Sequence, residues 1–393
     1  MKIEHIETFV VSLPERRPHQ MASIKQKQGD YVIVRVEAEG VVGYGEATVL
    51  KEWGGDFGRY YGEHPSTTVM LIDELLGPAL VGEDALQIEA LLDKLDRTIR
   101  GYPYAKASLD IAVHDLVGKA LGVPVYQLLG GAYRERIRIA HSLGFMDTDR
   151  LLGEVAEAIE EGVRTIKLKV GADVSRDTHV VREVRKLVGD DVEITVDANQ
   201  GWPDSRTAIR AVREMEESRI LFVEQPVEGL RAMSDVAKGV NTDVMADESA
   251  WSPHDVVDIA EAGAANLISI YTTKPGGLRR ATKVAAVAEA FGFACNVNGS
   301  AETGVGNAAN LHLAAAMKPV SLACVLPISA PAEQQPTKTV GRFYMDDIIA
   351  EPFVWEDGAI VVPNGPGLGI EIDDEKVRAY RRSTEPAARK VSA

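Results

Sequence analysis

The chain is poor in cysteine, in long apolar runs and in positive charge, and each shortage closes off a class of function. Its 393 residues include only two cysteines, Cys295 and Cys324. Both lie in apolar segments and form no C-x-x-C or other metal-ligand spacing, which reads as structural thiols in a reducing compartment, with a disulfide between them the lesser alternative. No apolar run reaches membrane-spanning length, and the opening M-K-I-E-H-I-E-T-F alternates like a strand without the apolar core of a secretion signal. Lysine and arginine number 43 against 59 acidic residues, a net charge of −16. Neither nucleic acid nor an anionic membrane then finds the basic face it needs. A cytoplasmic enzyme or small-molecule binding protein is the expectation that remains.

What is present is length and pattern. A chain of 393 residues, 45% of them hydrophobic, exceeds one ordinary domain and can fill a large core plus a second unit. Five short apolar runs occupy its middle, each ending in charge: R-T-I-K-L-K-V at 164–170, V-E-I-T-V-D-A-N at 192–199, I-L-F-V-E-Q-P at 220–226, D-V-M-A-D-E-S at 243–249 and L-I-S-I-Y-T-T-K at 267–274. Each reads as a buried strand followed by a helical segment. Lys169, Asp197, Glu224, Asp247, Lys274 and Glu302 follow one another at 28, 27, 23, 27 and 28 residues. That interval is one strand, one helix and two short loops, the unit of a parallel α/β sheet. Closed into a barrel, such units bring every strand's carboxyl end, and these charges, to one mouth.

Around this repeat the chain divides in three. Residues 1–130 read as an α+β unit. Its strands are Ile3 to Ser12, Tyr31 to Glu37 and Val41 to Glu46, and its long loops run from Leu13 to Asp30 and from Val49 to Pro65. In the second loop Trp53, Phe57, Tyr60 and Tyr61 are expected to seek burial. Helical pattern follows, notably Tyr104 to Leu121, ended by Gly122 and Pro124. His114 and Asp115 on that helix face different ways, which suits packing rather than catalysis. Gly130-Gly131 reads as the hinge to a barrel over 131–335. Its first strand is read at Arg136 to Ser142, with a helix from about Asp147 to Glu161, its seventh at Phe293 to Asn298, and a weaker eighth at Ser321 to Leu326. Residues 336–393 leave the barrel pattern, with a hairpin at Phe353 to Pro363 and a tight turn in N-G-P-G-L-G at 364–369. This tail is expected to return to the first unit.

The residue types at the mouth define a chemistry. Asp197, Glu224 and Asp247 are hard oxygen ligands from three successive strand ends, a set suited to Mg²⁺ and not to zinc. Lys167 and Lys169 alternate with Leu168, so both point inward. A lysine crowded by another ammonium and a divalent cation has its pKa lowered and can serve as a general base. Lys274, on the sixth strand, stands across the barrel from the second, which permits proton removal on one face of a bound substrate and return on the other. A proton α to a carboxylate is removable only if the resulting dianion is held, and Mg²⁺ with the ammonium of Lys167 supplies that charge. Glu248 is expected to pair with Lys274, and Glu302 to hydrogen-bond or protonate the substrate's far end.

At these residues the chain resembles the enolase superfamily, and within it the muconate lactonizing enzyme (muconate cycloisomerase) subgroup. The strings that carry the resemblance are K-L-K at 167–169, D-A-N-Q-G-W at 197–202, V-E-Q-P at 223–226, A-D-E-S at 246–249 and T-K-P-G-G at 273–277. Y-A-K-A-S-L-D-I-A at 104–112 and P-G-L-G at 366–369 extend it over nearly the whole chain. The resemblance implies a modified TIM (β/α) barrel under an α+β capping domain, with Mg²⁺, or Mn²⁺ in its place, on Asp197, Glu224 and Asp247. Lys169 and Lys274 are then the bases and Asn199 and Glu248 support them. Substrate choice falls to His19, Trp53, Tyr60 and Tyr61 in the capping loops and to Thr303. The implied partner is a small carboxylic acid and the implied assembly a homo-oligomer, dimer or octamer. A cycloisomerase is the first expectation and a racemase or epimerase of an N-substituted amino acid the second. A dehydratase or o-succinylbenzoate synthase-type lyase, and a barrel that only binds a carboxylate ligand, are further alternatives.

Overall fold

The first three strands are rich in β-branched and aromatic residues, which favour extended chain, and a tight turn at Glu39-Gly40 joins the last two. In the computed structural model of the protein, which describes residues 1–16 and 29–382, these are β1 (His5–Ser12), β2 (Asp30–Ala38) and β3 (Val41–Ala47). They form an antiparallel sheet in the order β1-β2-β3. The helix Pro103–Leu121 lies directly on β3. A Cβ at Gly45 would meet the carbonyl oxygen of Ser108 at 1.9 Å, and one at Gly43 that of Ala112 at 2.2 Å. The two glycines of V-V-G-Y-G-E are therefore what lets this helix seat. It is buried from Pro103 to Gly118 on all sides and ends at Gly122 in the left-handed conformation. His114 Nδ1 donates to the carbonyl oxygen of Asp110 at 2.8 Å, a packing role.

The expected first barrel strand is two strands. β4 (Arg136–Arg138) pairs antiparallel with a hairpin far along the chain, β12 (Trp355–Glu356) and β13 (Ala359–Val361), while the barrel proper starts at β5 (Ala140–Leu143). The division falls at Ile139, whose amide donates to Gly358 and so takes the chain from one sheet to the other. β6 (Thr165–Lys169), β7 (Glu193–Asp197), β8 (Phe222–Glu224), β9 (Asp243–Ala246), β10 (Leu267–Ile270) and β11 (Ala294–Val297) continue from β5 as a seven-stranded parallel sheet, in sequence order. The eighth wall is not a regular strand. Residues 320–324 fill the gap with single parallel bridges, Val320 to Cys295 of β11 and Cys324 to Ile139, and so close the ring. Helices flank the strands, each begun by a side-chain cap where a polar residue precedes it, as Asp147 does for Thr148–Glu160. Among the described residues no helix is long and apolar enough to cross a membrane.

Among the described residues two large apolar cores result, beside a small cluster of Phe222, Met245 and Leu267 on β8, β9 and β10. One fills and surrounds the barrel. The other lies in the capping sheet and runs onto the barrel through Trp251 and Tyr271. The chain's last described segment touches the cap: Val125 donates to Gly367, Met345 to Pro14, and Arg382 to Val10. Cys295 and Cys324 are both buried and unbridged.

Candidate active site

Parallel register fixes the floor of the site. Lys169 is level with Asp197, and Asp197 with Glu224, so strand-end charges form a row across β6, β7 and β8. The Lys167 ammonium lies 2.7 Å from Glu224 Oε1 and 2.9 Å from Asp197 Oδ2. That of Lys169 donates to Asp197 Oδ2 and to Asn199 Oδ1, both at 2.7 Å. Asn199 passes the contact on, its Nδ2 donating to Glu248 Oε1 at 2.9 Å. Across the ring, Lys274 donates to Asp247 Oδ1 at 2.6 Å, to the Asp247 carbonyl at 2.8 Å and to the Ser269 carbonyl at 2.9 Å. The expected Glu248–Lys274 pair is thus replaced by Asp247–Lys274. Consecutive residues face different ways, and the turn after β9 sends Glu248 back toward β7.

In a ring of eight wall positions the lysines are separated by three on either side. β6 and β10 have β7, β8 and β9 between them on one side, and β5, the bridged segment 320–324 and β11 on the other. Lys169 and Lys274 therefore belong to opposite walls. A cavity of about 60 Å³ is lined by Lys167, Lys169, Asn199, Asp247, Tyr271 and, from the cap, Trp53, while Lys274 does not line it and touches it through Asp247 and Tyr271. Trp53 stacks obliquely on Trp251 and on Tyr271, each ring centre 5.2 Å away, and Lys274 lies 4.4 Å from the centre of the Tyr271 ring. The Tyr271 hydroxyl donates to Asp247 Oδ2 at 3.2 Å.

Charge crowding here is severe because the charged groups are buried. Burial pulls the Lys167 ammonium down, but Asp197, Glu224 and Asp247 outweigh it and raise its pKa above the ordinary lysine value. Burial likewise pushes Asp197 up, but Lys167 and Lys169 outweigh it and hold that carboxyl well below the usual range. Glu224 is raised well above its ordinary value, by burial first and then by Asp197. Burial and then Asp247 push Glu248 up to about 8. The backbone is held in unusual conformations as well: Asn199, Gln200, Gln225 and Ala301 have φ of 43°, 60°, 37° and 64°. Left-handed residues with a Cβ concentrate where surrounding contacts over-determine the chain, as at a site.

Several expected site residues stand elsewhere. Glu302 is buried behind the turn that follows β11, its Oε1 accepting from the Ser300 amide, and it does not line the cavity. Thr303 is engaged with Glu46 through both its amide and its hydroxyl. Tyr60 stacks on the outer side of Trp251, ring centres 4.7 Å apart, and donates to Asp255. Phe57 and Tyr61, expected to be buried, are 79% and 68% exposed, because Trp53 and Tyr60 already cover the apolar surface of Trp251. His19 lies outside the described residues. The cavity also takes Leu50, Ser142, Asn298, Ser300 and Phe343, which sequence reasoning passed over. Only Ser142 and Asn298, each ending a read strand, carried a signal.

Asp197, Glu224 and Asp247 can be tested as holders of a hard divalent ion. As they stand, no three His, Cys, Asp or Glu side chains among the described residues form a metal-holding group, because each carboxylate reaches to a lysine. Yet Glu224 Oε2 is buried without a hydrogen-bond partner among the described residues. The raised Glu224 pKa also marks an excess of buried negative charge. Oxygen donors only, one of them unsatisfied, in a site short of positive charge, fit such an ion.

A closed α/β barrel, capped by an α+β domain and carrying buried lysines and carboxylates at its strand ends, is an enzyme architecture of the enolase superfamily. The enolase C-terminal domain-like family model matches residues 150–377, and that of the mandelate racemase / muconate lactonizing enzyme N-terminal domain matches residues 5–130. The chain belongs to this family and is, like its named relatives, an isomerase. It is 32% identical over 389 residues to muconate cycloisomerase 1 of Rhodococcus opacus, covering 98% of this chain and 99% of that protein. It is 34% identical over 381 residues to the N-succinyl-L-Arg/Lys racemase of Bacillus cereus, covering 96% and 97%. Among solved structures, the muconate lactonizing enzyme from Pseudomonas fluorescens complexed with muconolactone superposes with a TM-score of 0.87 at 33% identity, over 97% of this chain and 99% of that one. The B. cereus racemase gives 0.88 at 32%, over 97% and 98%.

Proposed function

We propose that the chain is a cycloisomerase of muconate-type diacids, moving a proton at the carbon α to a substrate carboxylate through an enediolate. Lys169 and Lys274 are the proton-carrying groups in this reading, and Mg²⁺, or Mn²⁺ in its place, is held by Asp197, Glu224 and Asp247. The observation that carries it is topological: the two lysines stand on walls four places apart in a ring of eight, with the acidic row between them. When bound, the ion supplies fixed positive charge to the carboxylate oxygens that become more negative as the proton leaves.

The chain's own residues account for the rest. In the ring-forming direction one substrate carboxylate oxygen closes on the diene, and a lysine ammonium gives its proton to the α carbon. In reverse the neutral amine takes that proton back. Asn199 Oδ1 aims the Lys169 amine, and the Ser269 and Asp247 carbonyls aim that of Lys274. Lys167, kept charged by its carboxylate neighbours, adds positive charge beneath the substrate. Trp53 and Tyr271 exclude water on the Lys274 side. Glu302 supports the cavity's rim from behind through Ser300. Cytoplasmic residence and a homo-oligomeric assembly go with this reading.

A racemase or epimerase of an N-substituted amino acid is the second reading, favoured by the equally high identity to the B. cereus racemase. Proton exchange in deuterium oxide, followed by NMR over a panel of carboxylic acids with and without Mg²⁺, separates them. Loss of the muconate diene absorbance supports the cycloisomerase, and deuterium wash-in without net conversion supports the racemase. If no acid exchanges, the barrel only binds its ligand and both readings fall.

A further inference from the structure

The second capping loop carries, at Asp56, a carboxylate that the mechanism above does not use. Asp56 Oδ1 accepts from Gln200 Nε2 at 2.8 Å and from the Gly229 amide at 3.0 Å, and its Oδ2 accepts from the Ser249 hydroxyl at 2.7 Å. One side chain of the cap thus holds the loops that follow β7, β8 and β9, the three strands that present Asp197, Glu224 and Asp247. The contact continues inward. Ser249 Oγ accepts from Gln225 Nε2 at 2.8 Å, and Gln225 Oε1 accepts from the Asp247 amide at 2.9 Å and the Ser249 amide at 3.2 Å.

The direction of this chain is set by chemistry. The Ser249 hydroxyl has one proton, and with Gln225 donating to it that proton goes to Asp56. All three partners of Asp56 are donors, so only a carboxylate satisfies them together. Gln200 and Gln225 are in left-handed conformations, with φ of 60° and 37°, that their own side chains would not choose. Backbone bonds help to hold them, the Gln200 N–H donating to the Gln225 carbonyl at 2.8 Å, and so do their side-chain amides, that of Gln225 donating also to the Val227 carbonyl at 3.1 Å. The Gln200 amide has its cap partner in Asp56, and that of Gln225 reaches the same carboxylate through Ser249.

We infer that Asp56 is a positioning residue that makes seating of the capping loop and setting of the acidic row a single event. Without the loop in place, the turns after β7 and β9 lose one of the partners that fix Gln200 and Ser249, and the aim of Asp197 and Asp247 loosens. The inference rests on the metal reading above only for its metal arm.

The test compares wild type with Asp56→Asn, which keeps size and puts an amide donor among three donors, and with Ser249→Ala. Amide hydrogen exchange, read by mass spectrometry on the full-length protein, is expected to speed up about tenfold at 198–201 and 245–250 in both variants. The double variant is expected to be no worse than the stronger single one. Mg²⁺ affinity by titration calorimetry without substrate should weaken about tenfold in parallel. Exchange that rises only within 53–61, or single effects that simply add, overturns the inference. Wild type that fails to bind Mg²⁺ counts against the metal reading alone, because the exchange arm uses no metal.

Discussion

The Lys274 ammonium lies 5.8 Å from the centre of the Trp53 ring, although the two residues belong to different domains. The cap therefore supplies one wall for a barrel lysine, and that wall is aromatic. Trp53→Leu is expected to cost roughly 2 kcal/mol of stability, measured as a shift in the urea midpoint, because the ring is buried against Trp251 and Tyr271. It should also lower kcat/KM by about tenfold through water admitted beside Lys274. An unchanged kcat/KM would remove Trp53 from the site.

The two lysines differ in what their loss leaves behind. Asp197 keeps Lys167 when Lys169 is replaced, whereas Asp247 has Lys274 as its ammonium partner. Lys169→Met and Lys274→Met should each slow proton exchange by about 100-fold or more. Only Lys274→Met should unfold markedly earlier in urea, by about 3 kcal/mol, since a buried carboxylate is left without its counter-charge. Equal stability of the two variants would contradict the pairing.

Gly45→Ala tests the seat of the capping helix. A methyl group there meets backbone, at 1.9 Å from the Ser108 oxygen, and backbone cannot turn aside as a side chain can. A loss of about 3 kcal/mol or more is expected, against well under 1 kcal/mol for Gly153→Ala, where nothing stands within 4 Å. Thermal melts of the two variants compare them directly.

Glu302 gives a pH dependence whose sign is fixed by its surroundings. Burial first, and then Glu46, lift its pKa from 4.5 to about 7. The folded state therefore holds this proton more tightly than the unfolded chain does, and the stabilisation, present below pH 4.5, is lost as pH rises through 7. Glu302→Gln should melt later than wild type at pH 8, by roughly 2 kcal/mol, with little difference at pH 4.5. A gain equal at both pH values would mean the carboxyl does not titrate in this range.

What could be read from the sequence was whatever follows from local period and spacing. Lys167, Lys169, Asp197, Glu224, Asp247 and Lys274 were legible because a strand puts alternate side chains on one face and a barrel puts strand ends at one mouth. The partners they choose were not. Glu248 goes to Asn199 and Asp247 to Lys274 because of how the turn after β9 is wound, and that turn is held by Gln225 and, through Ser249, by Asp56 from the cap. The segment Arg136 to Ser142 reads as one strand since its own pattern is unbroken. It divides only because its first half finds a partner more than 200 residues along, at Ala359–Val361. Glu302 and Thr303 sit next to the cavity in sequence, yet both side chains face the buried Glu46 side, a consequence of Ala301 taking a left-handed turn that no residue type announced.

The ring of strands is joined on its last side by isolated bridges rather than a ladder, and this seam has a built-in reporter. Cys295 and Cys324 flank it, the Val297 amide pointing at Cys324 Sγ across 3.3 Å, and burial holds the two thiols up at about 12 and about 11. While the seam is shut neither sulfur ionises or meets solvent, so the pace at which an alkylating reagent labels them clocks how often the ring parts.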